Sequence, residues 1–68
     1  MSSINLGKLY KHYKGNVYRV IAFAFHSDTC EEMVVYQSIK DGKIWVRPKA
    51  MWFDYIEEFK CLRFTLVD

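Results

Sequence analysis

The chain has 68 residues, of which 51% are hydrophobic and 18% are aromatic, and it contains three glycines and one proline. This length allows one domain, and this composition excludes disordered, collagen-like and linker chains. The formal net charge of +2 is small for a protein that binds nucleic acid mainly through the phosphates, since such proteins usually carry a marked basic patch.

The cysteine count bears on the compartment of the protein. Cys30 and Cys61 are the only cysteines, whereas small secreted domains usually carry four or more in disulfide pairs. The first residues do not resemble a signal peptide, and no apolar run approaches the roughly 20 residues that span a membrane. We therefore expect a cytoplasmic protein without membrane attachment. The spacing of the two thiols leaves open whether they are free.

Short runs rich in Val, Ile, Tyr, Phe and Trp follow one another along the chain, and no long window shows helical periodicity. Strands are predicted at residues 8–13, 17–25, 33–39, 44–47 and 63–67. Gly15 with Asn16, the polar segment 26–32, and Asp41 with Gly42 provide turns between the first four strands.

The second predicted strand is apolar on both faces. Strict alternation places Val17, Ile21, Phe23 and Phe25 on one face and Tyr18, Val20, Ala22 and Ala24 on the other. Such a strand is typical of a small barrel. Pro48 ends the fourth strand because it lacks an N–H group. Residues 49–59 have apolar side chains four positions apart, which predicts a short helical turn after Pro48. About five antiparallel strands therefore form one closed or nearly closed barrel over residues 1–68.

Motifs spread over residues 7–64 form a specific combination. They are GKLYKHYKG at 7–15, Tyr18, His26–Thr29 with Glu32, Val34–Tyr36, Trp45–Pro48 with Met51 and Phe53, and Arg63 with Phe64. In these motifs the chain resembles the domain-of-unknown-function 1653 family of small bacterial proteins. The resemblance implies a mainly β, SH3-like barrel or roll and implies no reaction. The family pattern has Arg and Glu where this chain has Phe25 and Asp28, so a site that needs those two groups is not implied.

A candidate ligand site follows from the fourth strand. Trp45 and Arg47 lie two residues apart and so point to one face. A two-residue turn at Asp41 and Gly42 would set Tyr36 opposite Arg47 on the neighbouring strand. An indole, a guanidinium and a phenol on one face are typical of surfaces that stack bases. The predicted ligand-binding residues are Tyr10, His12, His26, Ser27, Glu32, Tyr36, Trp45 and Arg47.

We expect a binding module rather than an enzyme, because so small a barrel has little room to enclose a substrate. The expected partner is nucleic acid, a nucleotide or a peptide. The first two are favoured because residues 1–20 carry four basic and no acidic side chains. A structural role for the same face is also open: the aromatic side chains would cover the core, and Arg47 would pair with a carboxylate such as Glu32.

Two other functions remain open. One is a small acid–base enzyme that uses His26 and Glu32, with Tyr36 as a further candidate. A catalytic triad within 26–29 is not expected, because consecutive residues rarely reach opposite sides of one imidazole. A turn capped by its own side chains is the simpler interpretation.

The other is a protein–protein module or homo-oligomer, since a short segment concentrates aromatic side chains. Its residues are Trp52, Phe53, Tyr55 and Phe59. No cofactor is predicted. No metal site is predicted either, because His12, His26 and Cys30 lack the second ligand pair of a zinc site.

Overall fold

A computed structural model describes residues 4–67. The strands are β1 (Leu9–His12), β2 (Val17–Phe25), β3 (Glu32–Ser38), β4 (Ile44–Pro48), β5 (Tyr55–Ile56), β6 (Cys61–Leu62) and β7 (Phe64–Val67). A 3₁₀ turn, Lys49–Met51, directly follows β4. The prediction of a mainly β fold with about five antiparallel strands and a short helical turn after Pro48 is confirmed.

Five of the strands form one antiparallel sheet in the order β4-β3-β2-β1-β7, and β5 and β6 form a small separate hairpin. The first four strands make a meander, and the last returns to pair with β1 from Leu9–Val67 to His12–Phe64. This strand order is that of an SH3-like roll. Within residues 4–67 no ladder joins β4 to β7, so the roll is open rather than a closed barrel.

The long strand β2 bends at a β-bulge. Its pairing with β3 shifts between Val20 and Ala22, so that Phe23 opposes Val34. One extra residue reverses which side chains share a face of the sheet, although Phe23 and Phe25 are both exposed at this end of the strand. Phe23 and Phe25 therefore lie on the same side of the sheet as Val20, and the strict alternation predicted for this strand is wrong beyond the bulge.

The hairpin between β3 and β4 also differs from the prediction. The Ser38 N–H donates to the Lys43 carbonyl at 2.8 Å, so the connection has four residues, 39–42, instead of two. Tyr36 consequently opposes Trp45 rather than Arg47, and the predicted pairing of Tyr36 with Arg47 is wrong. Because the displacement is two residues, Tyr36, Trp45 and Arg47 still share one face of the sheet.

The core is built largely from aromatic rings. Its buried members are Tyr10, Val20, Val34, Tyr36, Trp52 and Phe64. The Trp52 indole stacks on Phe64 with ring centroids 3.8 Å apart and planes inclined by 5°. The rings of Tyr36 and Tyr10 meet Trp52 edge-on at 5.0 and 5.5 Å, a geometry that aromatic pairs favour. Trp52 comes from the segment after the 3₁₀ turn and covers the open side of the sheet.

Candidate functional site

A cluster of aromatic and basic side chains surrounds the buried ring of Phe64. We call it the Phe64 cluster, and its members are His12, Tyr18, Tyr36, Arg47 and Phe64. The centroid of the His12 ring lies 5.0 Å from that of Phe64. The corresponding distances for Tyr36 and Tyr18 are 5.5 and 5.9 Å. His12, Tyr18 and Arg47 are half-buried, so the cluster reaches the surface through these three side chains.

The curvature of the sheet assembles the cluster. Each strand of the large sheet contributes one member, and His12 on β1 directly opposes Phe64 on β7. Arg47 belongs to β4, at the other edge of the sheet, yet the Cζ atom of its guanidinium lies 5.9 Å from the centroid of the Phe64 ring. The roll therefore brings side chains from its two edges together, which no local sequence pattern could show.

Arg47 is the least satisfied member of this cluster. Within residues 4–67 it forms no salt bridge, and its Nε is buried without a hydrogen-bond partner. Glu32, its predicted carboxylate partner, instead has an oxygen 3.6 Å from the Lys49 Nζ, on an exposed part of the surface. A buried donor without an acceptor is unfavourable by roughly 1–3 kcal/mol. The guanidinium is thus held beside aromatic rings, and no described residue supplies a neutralising anion.

The electrostatic surroundings of His12 are basic. Burial lowers the pKa of His12 below its ordinary value of 6.5, and the charges of Arg63, Arg47 and Lys14 lower it further. Of these, Arg63 is partly neutralised because its Nη2 lies 3.6 Å from a carboxylate oxygen of Asp54. The imidazole is therefore neutral near pH 7. Its Nδ1 accepts the Lys14 N–H at 3.2 Å, which leaves Nε2 as the protonated nitrogen.

The structure divides the predicted ligand-binding residues into separate groups. His12, Tyr36 and Arg47 come together in the Phe64 cluster, and Trp45 opposes Tyr36 with 49% of its surface exposed. Tyr10 lies in the core with 1% exposure, and its hydroxyl accepts the Asn5 N–H at 2.9 Å.

His26 and Ser27 follow the end of β2, and Glu32 begins β3. The His26 Nδ1 accepts the backbone N–H of Asp28 at 3.1 Å and that of Thr29 at 3.4 Å. The Thr29 Oγ1 accepts the N–H of Glu31 at 3.3 Å. The turn is thus capped by the side chains of His26 and Thr29, whereas the capping predicted for the Ser27 and Asp28 side chains is not seen among the described residues. In residues 4–67 no hydrogen bond or ion pair joins His26 to Glu32.

Sequence reasoning missed Tyr18 and Phe64 as members of the cluster. Tyr18 faces the same side of β2 as Val20, which alternation alone could have shown. Phe64 could not be placed, because it enters the site only through the pairing of β7 with β1. Both residues belong to the motifs that carry the family resemblance.

Of the four aromatic residues predicted to form an association surface, Trp52 is fully buried and Phe53 is half-buried. Tyr55 and Phe59 remain 54% and 59% exposed. Cys30 and Cys61 are free thiols.

The described part of the chain contains no group of three His, Cys, Asp or Glu side chains placed to hold a metal ion. Among the same residues, no helix has both the length and the apolar character needed to cross a membrane.

Comparison with curated proteins and with solved structures found no match in either. A family described as a protein of unknown function (DUF1653) matches the chain over residues 8–66. This range includes β1 to β6, all of β7 except its last residue, and every member of the Phe64 cluster, and the chain therefore belongs to the DUF1653 family.

Proposed function

We propose that this protein is a binding module whose Phe64 cluster takes the base and phosphate of a nucleotide, either free or within single-stranded nucleic acid. The observation that carries the proposal is the Arg47 guanidinium, which lies beside aromatic rings with no carboxylate partner among the described residues. A guanidinium matches the geometry of phosphate, as it does that of carboxylate, with paired hydrogen bonds.

The charges around the cluster favour an anionic ligand over a cationic one. Lys14 and Arg63 add positive charge near His12, so a methylated lysine or another cation would be repelled. The half-buried rings of His12 and Tyr18 and the half-exposed Trp45 offer surface for a planar base. Base–aromatic stacking contributes about 1–3 kcal/mol per base and does not require a particular sequence.

The two free thiols agree with our further proposal that the protein works in the reducing cytoplasm of a bacterium.

The test is a titration of isotope-labelled protein with adenosine monophosphate, an eight-residue deoxythymidine oligonucleotide and inorganic phosphate, followed by NMR. We expect the signals of His12, Tyr18 and the Arg47 side chain to move with both nucleotide ligands. Inorganic phosphate should move the Arg47 signal with little effect on the rings. The affinity for the oligonucleotide should fall as salt is added.

Arg47→Ala should weaken binding by about tenfold or more, since it removes the guanidinium that contacts phosphate. Lys11→Ala is the matched control, because Lys11 is an exposed cation on the opposite face of β1 from His12. Equal losses in the two variants would mean that binding depends on total charge alone. Signal changes confined to residues 26–32 would move the site away from the cluster.

A further inference from the structure

Strand β4 is a free edge of the sheet and carries three consecutive exposed apolar residues. Among residues 4–67 it pairs only with β3, and Ile44, Trp45 and Val46 are 61%, 49% and 58% exposed. Natural proteins usually protect such an edge with charges, bulges or covering segments, because its unpaired backbone groups can bind another strand. Nothing in residues 4–67 covers these three side chains.

The hydrogen-bond pattern shows which backbone groups of β4 are available. The Ser38 N–H bonds to the Lys43 carbonyl, and bonded and non-bonded pairs alternate along an antiparallel ladder. Trp45 and Arg47 therefore direct their backbone groups toward β3, whereas Ile44 and Val46 direct theirs outward. Pro48 falls on the next outward position, where the missing N–H removes no ladder bond. The edge thus offers the N–H and C=O groups of Ile44 and Val46.

The charges beside this edge restrict what can bind. Lys43 and Arg47 flank Trp45 on one face of the strand, and neither forms a salt bridge with a described residue. The carboxylate of Asp41 lies in the turn, where its Oδ1 accepts the Lys43 N–H at 3.1 Å. A partner strand would therefore meet a positive, an aromatic and a second positive side chain in alternation.

A second copy of this chain fits the edge poorly. Antiparallel self-pairing centred on Trp45 would set Lys43 opposite Arg47 of the other copy. Like charges directly opposite one another destabilise a strand pair. Self-pairing centred on Val46 would set Ile44 opposite Pro48 of the other copy, which has no N–H to donate to the ladder, so both registers are disfavoured.

We propose that β4 binds an extended segment of another protein, which adds to the sheet as an antiparallel strand. The segment has the order acidic, apolar, aromatic, apolar, acidic. Its acidic residues face Lys43 and Arg47, its aromatic residue faces Trp45, and its apolar residues lie beside Ile44 and Val46. Main-chain hydrogen bonds provide the affinity, and the alternating side chains provide the specificity.

This surface is separate from the nucleotide site. Lys43, Ile44 and Val46 belong to the β4 edge alone, His12, Tyr18 and Phe64 belong to the nucleotide site alone, and Trp45 and Arg47 border both.

The experiment measures amide hydrogen exchange of the full chain, free and with a synthetic peptide Gly-Glu-Val-Tyr-Val-Glu-Gly blocked at both ends. In the free protein, the Ile44 and Val46 amides should exchange rapidly while those of Trp45 and Arg47 are protected. Adding the peptide should protect Ile44 and Val46. A peptide with Lys in place of both Glu residues should not.

Lys43→Glu should weaken binding of the acidic peptide by about tenfold and improve binding of the Lys peptide, because like charges are replaced by opposite ones. Lys11→Glu makes the same charge change on β1, three strands away, and should have little effect. Tyr18→Leu should reduce nucleotide binding while the exchange protection given by the peptide persists, because Tyr18 belongs to the Phe64 cluster and lies on β2, away from the β4 edge; this variant separates the two proposals.

Three results would overturn the inference. The first is that Ile44 and Val46 are already protected in the monomeric protein. The second is a dimer in sedimentation at high concentration with these amides protected, which would assign the edge to a second copy. The third is that both peptides leave the two amides unprotected.

Discussion

His12 shows how neighbours set the chemistry of a single residue. Its imidazole packs against Phe64 and lies near three cations, so both burial and charge lower its pKa. The folded protein therefore binds a proton at this site more weakly than the unfolded chain, whose histidine pKa is about 6.5. The stabilising effect is fully present above the unfolded pKa and is lost as the pH falls toward the folded value.

We accordingly expect the free energy of unfolding to fall between pH 7 and pH 5, and we expect His12→Asn to flatten this dependence. Urea unfolding of both proteins at several pH values tests the prediction. The pKa of Asp41 is lowered by its hydrogen bond from the Lys43 N–H, and it titrates below this window. An equally steep pH dependence in the variant would show that another group is responsible.

A phosphate ligand should raise the pKa of His12, because an adjacent anion favours the imidazolium form. Binding of the deoxythymidine oligonucleotide to the Phe64 cluster should then strengthen as the pH is lowered from 7 toward 6, a range in which its phosphodiesters keep their charge, unlike the phosphomonoester of adenosine monophosphate. The measurement is the dissociation constant across this range, with His12→Asn as the control. An affinity that weakens on acidification would contradict the arrangement proposed for the site.

Arg47 allows stability and function to be separated at one position. Its Nε is buried without an acceptor in the described residues, so the guanidinium is expected to lower the stability of the folded protein. Arg47→Met keeps the length of the side chain and removes the unpaired donor. We expect the variant to be as stable as the parent, or more stable by up to about 1 kcal/mol, while nucleotide binding is lost. A large loss of stability in urea would indicate a structural role instead.

At the scale of single elements, sequence patterns located strands better than they determined register. The bounds of β2 agree with the prediction, because turn residues flank an unbroken run of β-forming residues. The bulge between Val20 and Ala22 left no signal, since every residue there is apolar. The Asp41–Gly42 motif identified the position of the β3–β4 turn but not its length. Ile39 and Lys40 also belong to the loop, although isoleucine favours strands and was therefore predicted to be part of β3.

Gly42 supports this four-residue loop through its backbone conformation. Its φ is +74°, and a Cβ added there would meet only the Gln37 side chain, at 3.9 Å. Gly42→Ala should therefore destabilise the protein by about 1 kcal/mol through backbone strain alone. Gly42→Asn should destabilise the protein less than Gly42→Ala does, because asparagine tolerates positive φ. Chemical denaturation of both variants is the measurement, and a larger loss for Asn than for Ala would contradict this account.

The fold of the whole molecule depends on contacts between residues distant in sequence. β7 pairs with β1, and Trp52 inserts between Tyr36 and Tyr10 from a segment without regular structure. The strand content and the fold class could be predicted from composition, turn residues and the family resemblance. The Phe64 cluster could not be predicted, because its members come from five strands and meet only when the sheet curls.

The two tryptophans give a matched comparison at this scale. Trp52 is fully buried and Trp45 is 49% exposed. Removing a buried tryptophan side chain is expected to destabilise by about 3–5 kcal/mol, which is comparable to the whole stability of so small a domain. Trp52→Ala should therefore be largely unfolded at room temperature. Trp45→Ala should retain its fold by circular dichroism. Similar losses of stability in both variants would show that the core is not centred on Trp52.

The ring network of the core also has a consequence for internal motion. Tyr10, Tyr36 and Phe64 are enclosed by other rings on several sides, and Phe64 is held by a stacked indole. A close-packed interior leaves no free volume for a phenyl ring to rotate, so each half-turn needs a transient expansion of the roll. The two edges of each ring should then give separate NMR signals on cooling. The temperature at which these signals merge would measure the rate at which the roll expands transiently.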